Sequence, residues 1–199
     1  SISGKIKPAK MAAVRSAKGM AFPLVLFPGI IQGAICTLAL PEISRASGDK
    51  VRLKNKTTLV LLSAFLTGGF SLLFFIAFAN PLTRIVYGST ESAFYVRTLS
   101  IALPFLFFNM SGVSIFNGMG KQAYSLITGT VSGIIKLLGI IIFVPAFGIN
   151  GYLFFYLFSE ICGFLMTFLL IYNTIYKKTD YFIYKLPKIR KKSKNHLKY

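Results

Sequence analysis

The chain has 199 residues, is 54% hydrophobic, and carries 23 Lys and Arg against 5 Asp and Glu, a formal net charge of +18. In a soluble protein that charge would point to nucleic acid. Here the basic residues fall almost wholly between or beyond long apolar runs, which argues against nucleic acid and assigns them to fixing topology and meeting anionic lipid. Cys36 and Cys162 lie inside apolar runs and the single histidine, His196, lies in the basic tail, so no metal site, cofactor site, disulfide or His-based triad is expected.

Five apolar runs follow in chain order, at residues 20–41, 57–83, 98–120, 122–145 and 150–176. A span needs about 20 apolar residues to cross ~30 Å of hydrocarbon. These runs are apolar nearly all round, unlike soluble helices, which keep a polar face. The expected class is an all-α polytopic membrane protein with about five transmembrane helices, a basic head at 1–19 and a basic tail at 177–199. Pro23 and Pro28 in the first run remove backbone hydrogen bonds and predict a kink. Gly29 and Gly33 form a small-residue face for close helix approach, and Gly129 and Gly133 repeat it in the fourth run. The first run is expected to end across Pro41-Glu42-Ile43-Ser44-Arg45, where the charged stretch begins. The second carries Gly68-Gly69 and is expected to stop at Asn80-Pro81. The third has Pro104 near its outer end and finishes in Asn117-Gly118-Met119-Gly120, a turn signal. Residues 145–151 predict a tight turn between the last two spans. In the tail, Tyr181, Phe182 and Tyr184 among lysines predict an interfacial segment.

Orientation comes from counting basic residues by segment. The head has five, the first loop five (Arg45, Lys50, Arg52, Lys54, Lys56), the second loop two (Arg84, Arg97), the third one (Lys121), the last connection none and the tail nine. Alternate sides therefore carry 7 and 15. The positive-inside rule places the first loop, the third loop and the tail in the cytoplasm, and the basic head outside. An odd number of spans with a charged external head leads to the expectation that this is the C-terminal portion of a longer transporter. A genuine five-span protein is the alternative.

Two runs each hold one ionisable residue, Lys136 and Glu160. Each lies about twelve residues from the centre of the last turn, so at ~1.5 Å per residue both sit roughly 18 Å from it, at one depth on antiparallel helices. An ammonium at mid-bilayer costs at least ~2.5–3.5 kcal/mol, so pairing or a wet cavity is required. Two readings stay open. The residues form a neutralised pair that lets both helices insert, or Lys136 faces a water-filled cavity and binds an anionic group while Glu160 holds it or exchanges a proton or cation. Arg84, Glu91 and Arg97 near the outer face are either an exposed loop or a gate rim. The candidate substrate-binding residues are Lys136, Glu160, Arg97 and Asn109.

Three stretches resemble one family. They are Ser16-Ala-Lys-Gly-Met-Ala-Phe-Pro23-Leu with Pro28 and Leu38-Ala-Leu-Pro41-Glu-Ile-Ser44; Phe116-Asn-Gly-Met-Gly-Lys121; and Ile135-Lys136-Leu-Leu with Pro145-Ala-Phe-Gly148-Ile-Asn-Gly151. Their order and spacing resemble the polysaccharide-transporter, sporulation-type branch of the multidrug/oligosaccharidyl-lipid/polysaccharide (MOP) exporter superfamily. The resemblance covers roughly Ala17 to Tyr176. It implies helices eight to twelve of a MATE-like fold, most of the second of two six-helix lobes around a cavity. It implies a cell-membrane flippase moving an undecaprenyl-pyrophosphate-linked saccharide by alternating access, with the N-terminal lobe of the same protein, membrane lipid and a lipid-linked oligosaccharide as partners. Sporulation-type members also tend to have a basic residue at Lys136. Glu160 stands where relatives usually have a small or apolar residue, so its role is not inherited. An arginine that the lipid II flippase branch carries early in the eighth helix has no in-membrane counterpart here; only Lys18 comes near. Rival readings are a drug/cation antiporter of the MATE branch, a membrane enzyme and a non-transporting assembly or sporulation factor. An enzyme would need loop carboxylates or histidines, and the cytoplasmic loops offer only Glu42 and Asp49.

Overall fold

The computed structural model describes residues 23–87 and 93–176. The basic head at 1–19, the tail at 177–199 with Tyr181, Phe182 and Tyr184, and Glu91 fall outside them. The described elements are helices: α1 (Gly29–Ala46), α2 (Lys50–Tyr87), α3 (Ala93–Ser100), α4 (Leu103–Gly118) and α5 (Gln122–Ile171), which runs into a π-helical turn, Tyr172–Tyr176. No strand occurs among the described residues. α5 doubles back on itself as two arms, Gln122–Phe143 and Gly151–Ile175. These arms, Pro23–Ala46 and Lys50–Val86 are each long and apolar enough to cross a bilayer, and the bent pair α3–α4 brings the total to as many as five. The chain is a multi-pass helical membrane protein.

The proline positions explain where the spans differ from the expected bounds. The first helix breaks at Phe27-Pro28, where Pro28 takes the N-cap position of α1. At the other end the helix continues through Pro41 and ends at Ala46, one residue past the expected Pro41–Arg45 stretch. Pro41 forfeits one backbone bond, and the proline ring is tolerated where its neighbours replace that bond or headgroups solvate the freed carbonyl. α2 likewise does not stop at Asn80-Pro81 but continues to Tyr87, with the Thr83 hydroxyl donating to the carbonyls of Ala79 and Asn80. At 38 residues α2 far exceeds the expected 57–83. Its first turns take in the basic residues Lys50, Arg52, Lys54 and Lys56, and Asp49 Oδ1 caps it by accepting from the amides of Val51 and Arg52. The third run is not one straight span: α3 and α4 meet at 46°. Pro104 sits in the first turn of α4, where it lacks the N–H that would continue the ladder back into α3.

α4 is the central post. It buries Phe107, Phe108, Ile115 and Phe116 and packs against α1, α2 and α5. Leu38, Phe70, Leu73, Leu126, Ile141 and Phe154 are exposed on the outside, as a lipid-facing surface requires. Lipid tails are as apolar as leucine, so helices in a bilayer gain from close approach and from hydrogen bonds between them. Both are present. A Cβ on Gly112 would collide with the Thr167 side chain, and one on Gly68 would lie 2.7 Å from the Pro104 Cα. Between α1, α2 and α4, the buried Gln32 donates to Ser111 Oγ at 2.8 Å and accepts from Thr67 Oγ1 at 2.7 Å. Ser114 Oγ donates to the Cys36 carbonyl at 2.6 Å. Cys36 is a buried free thiol in this network, and Cys162 is also free.

Candidate functional site

The reversal of α5 lays its two arms side by side, and Ser159 Oγ on the second arm donates to the Ser132 carbonyl on the first at 2.9 Å. Lys136, one turn past Ser132, donates through Nζ to Oε1 of Glu160, the residue after Ser159, at 2.7 Å. The equal depth expected from the sequence is therefore realised as direct contact. Glu160 is held from a second side as well. Asn109 on α4 donates through Nδ2 to Glu160 Oε2 at 3.0 Å and to the Glu160 carbonyl at 3.2 Å. Gly163 makes that approach possible, since a Cβ there would lie 2.9 Å from Asn109 Nδ2 and 2.7 Å from Ser132 Oγ.

The two charges differ in surroundings. The Glu160 side chain is 5% exposed and both its oxygens are engaged, whereas the Lys136 side chain is 34% exposed. The lysine lines a cavity of about 310 Å³ with Asn109, Thr128, Ser132, Glu160 and Thr167, between α4 and both arms of α5. Its ammonium lies 5.1 Å from the centre of the Tyr156 ring, within cation–π range. Glu160 occupies a single donor direction of the ammonium, which has three. Asn109 Oδ1 is buried without a hydrogen-bond partner among the described residues. The cavity thus presents spare cationic donors, at a depth where they are costly unless a guest or water meets them.

The other expected residues fall in different places. Arg97 lies on the exposed face of α3 and does not line this cavity. Gly29 and Gly33 face α4, where a Cβ would rest 3.5 Å from Phe107 and 3.8 Å from Met110, ordinary packing distances. The close helix approach expected at Gly129 and Gly133 is not found: a Cβ at either meets nothing within 4 Å, and both line the cavity. They leave room for a guest rather than for a helix. Sequence reasoning missed Tyr156, Ser132 and Thr167. Tyr156 was discoverable, since it stands four residues before Glu160 and so shares its helix face.

No family model matches this sequence. Stage V sporulation protein B of Bacillus subtilis (strain 168) is 24% identical over 141 residues, 67% of this chain. Among solved structures, an outward-facing multidrug resistance MATE family transporter of the MOP superfamily superposes on 82% of this chain with a TM-score of 0.70 and 18% identity. A MOP superfamily transporter from Pyrococcus furiosus, described as having a binding pocket of reversed polarity, gives 0.69 over 82% at 18% identity. An inward-facing MATE structure gives 0.61 over 78% at 19% identity. The chain spans 26% of the sporulation protein's length and 37–38% of each solved transporter. The resemblance read from the sequence is recovered in both comparisons: the chain has the helical membrane fold of one lobe of the MOP superfamily transporters, and a stage V sporulation protein is similar to it in sequence.

Proposed function

We propose that this chain supplies one lobe of a cell-membrane carrier, not an enzyme, that translocates an undecaprenyl-pyrophosphate-linked saccharide by alternating access. The observation that carries the reading is Lys136, whose ammonium is deep within the span and yet one-third open to a cavity. A cation retained there suits a guest that brings negative charge to mid-membrane depth. The pyrophosphate would meet the free donors of Lys136 while the isoprenoid tail stays in lipid. The other lobe, from the N-terminal part of the same protein, would close the cavity, and a membrane potential or ion gradient would drive the cycle. The excess of basic residues on one side supports a cytoplasmic C-terminus whose tail meets anionic headgroups.

The likeness to multidrug transporters favours a second reading, a drug/cation antiporter. Against it stands the cavity's carboxylate: Glu160 already spends both oxygens on Lys136 and Asn109. The test is genetic and chemical. Deleting the full-length gene is expected to leave a lipid-linked saccharide precursor on the cytoplasmic leaflet, and Lys136→Ala is expected to reproduce that accumulation in a protein that still inserts and folds. Absence of any accumulating precursor, or full complementation by Lys136→Ala, would overturn the reading.

A further inference from the structure

We infer that Glu160 is a tethered competitor for the anion site of Lys136, and that Asn109 is the position to which its carboxylate retreats when cargo binds. The inference rests on the reading of Lys136 as an anion site and adds how that site is regulated. Its basis is the unequal way the three side chains are engaged. Lys136 is the exposed partner and has donors to spare, while Glu160 is buried and fully engaged. An arriving anion therefore approaches the lysine from the cavity and meets a cation already neutralised from behind. To gain the full charge of the ammonium it must weaken the 2.7 Å contact to Glu160 Oε1.

A buried carboxylate released with no other partner would make that exchange prohibitive. Asn109 supplies the partner. Its amide already reaches both the second carboxylate oxygen and the backbone carbonyl of Glu160, so the carboxylate keeps a hydrogen bond throughout. Beside the ammonium lies the Tyr156 ring, and the neighbouring Ser159–Ser132 bond holds the two arms in register while the charges move. Glu160 and Asn109 are thus positioning residues. They set how tightly cargo is held and ensure that it is expelled: when the anion leaves, Glu160 reoccupies the lysine and blocks rebinding. Binding couplings of this kind typically amount to roughly 5- to 150-fold in affinity, and they are reciprocal.

Inorganic pyrophosphate is the probe, titrated calorimetrically into the full-length protein in nanodiscs of zwitterionic lipid. Glu160→Gln keeps the shape and the contact of Asn109 with the backbone carbonyl at 160 but removes the competing charge. It is expected to bind pyrophosphate at least about fivefold more tightly than wild type while slowing turnover of the lipid-linked substrate, a split between affinity and rate that a merely structural residue would not produce. Asn109→Ala is expected to bind more weakly than wild type, because the displaced carboxylate loses its second partner. Glu160→Gln binding no more tightly than wild type, with Lys136→Ala abolishing binding, would overturn the exchange and leave the anion site standing. Pyrophosphate binding unchanged by Lys136→Ala, or absent from both wild type and Glu160→Gln, would remove the anion site and the exchange together.

Discussion

A double-mutant cycle on Lys136 and Glu160 tests whether an ion pair, rather than a neutral hydrogen bond, joins the arms of α5. At 2.7 Å the gross attraction of two unit charges is about 6 kcal/mol in an effective dielectric near 20. Desolvation offsets much of that. Lys136→Met leaves the Glu160 carboxylate buried with Asn109 as its remaining partner, which is expected to cost about 3–5 kcal/mol. Glu160→Gln retains an acceptor for Lys136, whose ammonium is one-third open, and is expected to cost about 1–2 kcal/mol. The doubly substituted protein carries no uncompensated charge and keeps the Asn109 bond. It should be more stable than Lys136→Met alone, with a coupling of about 2–3 kcal/mol. Neutral hydrogen bonds between membrane helices average only about 0.6 kcal/mol, so the coupling separates the two cases. The assay is reversible unfolding in bicelles, followed by helical circular dichroism for wild type, both single variants and the double variant. A coupling at or below about 0.6 kcal/mol, or a double variant no more stable than Lys136→Met, would refute the reasoning.

Three further outcomes follow from the packing. Gly112→Ala places a methyl against Thr167 and is expected to destabilise by about 1–3 kcal/mol, while Gly133→Ala, facing open cavity, should change stability by less than about 0.5 kcal/mol in the same unfolding assay. Gln32→Leu removes the amide that joins Ser111 to Thr67 and is expected to cost about 1–3 kcal/mol, since it leaves the buried Ser111 hydroxyl with only its 3.7 Å contact to the Cys36 thiol. It should also accelerate amide hydrogen exchange in α1. Asp49→Ala deletes the cap of α2 and is expected to cost about 1 kcal/mol, with exchange faster at Val51 and Arg52.

The residues least at home in hydrocarbon were the most legible. Lys136 and Glu160 stood out because a charge within a span must be met, and the symmetry of the turn placed them at one depth. Spans were legible from apolar length, but their ends were not. Proline ends a helix in water because the freed carbonyl has a competing partner, whereas Pro41 and Pro81 lie within continuous helices here. Helix facing was illegible for a related reason. When lipid and protein neighbours are equally apolar, the hydrophobic pattern no longer says which side is inside. Gly29 with Gly33 and Gly129 with Gly133 have the same spacing, yet one pair faces a helix and the other an empty volume. The bend at Pro104 went unread because the run at 98–120 carries no charged residue and no loop to mark it as two helices.

Polar side chains carry the facing information that apolar ones lose, and those of α4 point two ways. Ser111 and Ser114 reach α1, through Gln32 and the Cys36 carbonyl, while Asn109 reaches Glu160 on α5. Ser111 and Asn109 are two residues apart, about 200° around a helix at 3.6 residues per turn, so they project from nearly opposite faces of the same post. The Gln32 network thus fixes the rotation of α4 about its own axis, and that rotation sets how far Asn109 extends toward Glu160. Rotating α4 by one residue's arc would carry Asn109 off the carboxylate and present Met110 in its place, leaving Lys136 as Glu160's sole charged or amide partner. The buried amide on α1 is therefore the element that keeps a neutral donor beside the ion pair from across the bundle, without touching the cavity that the pair lines.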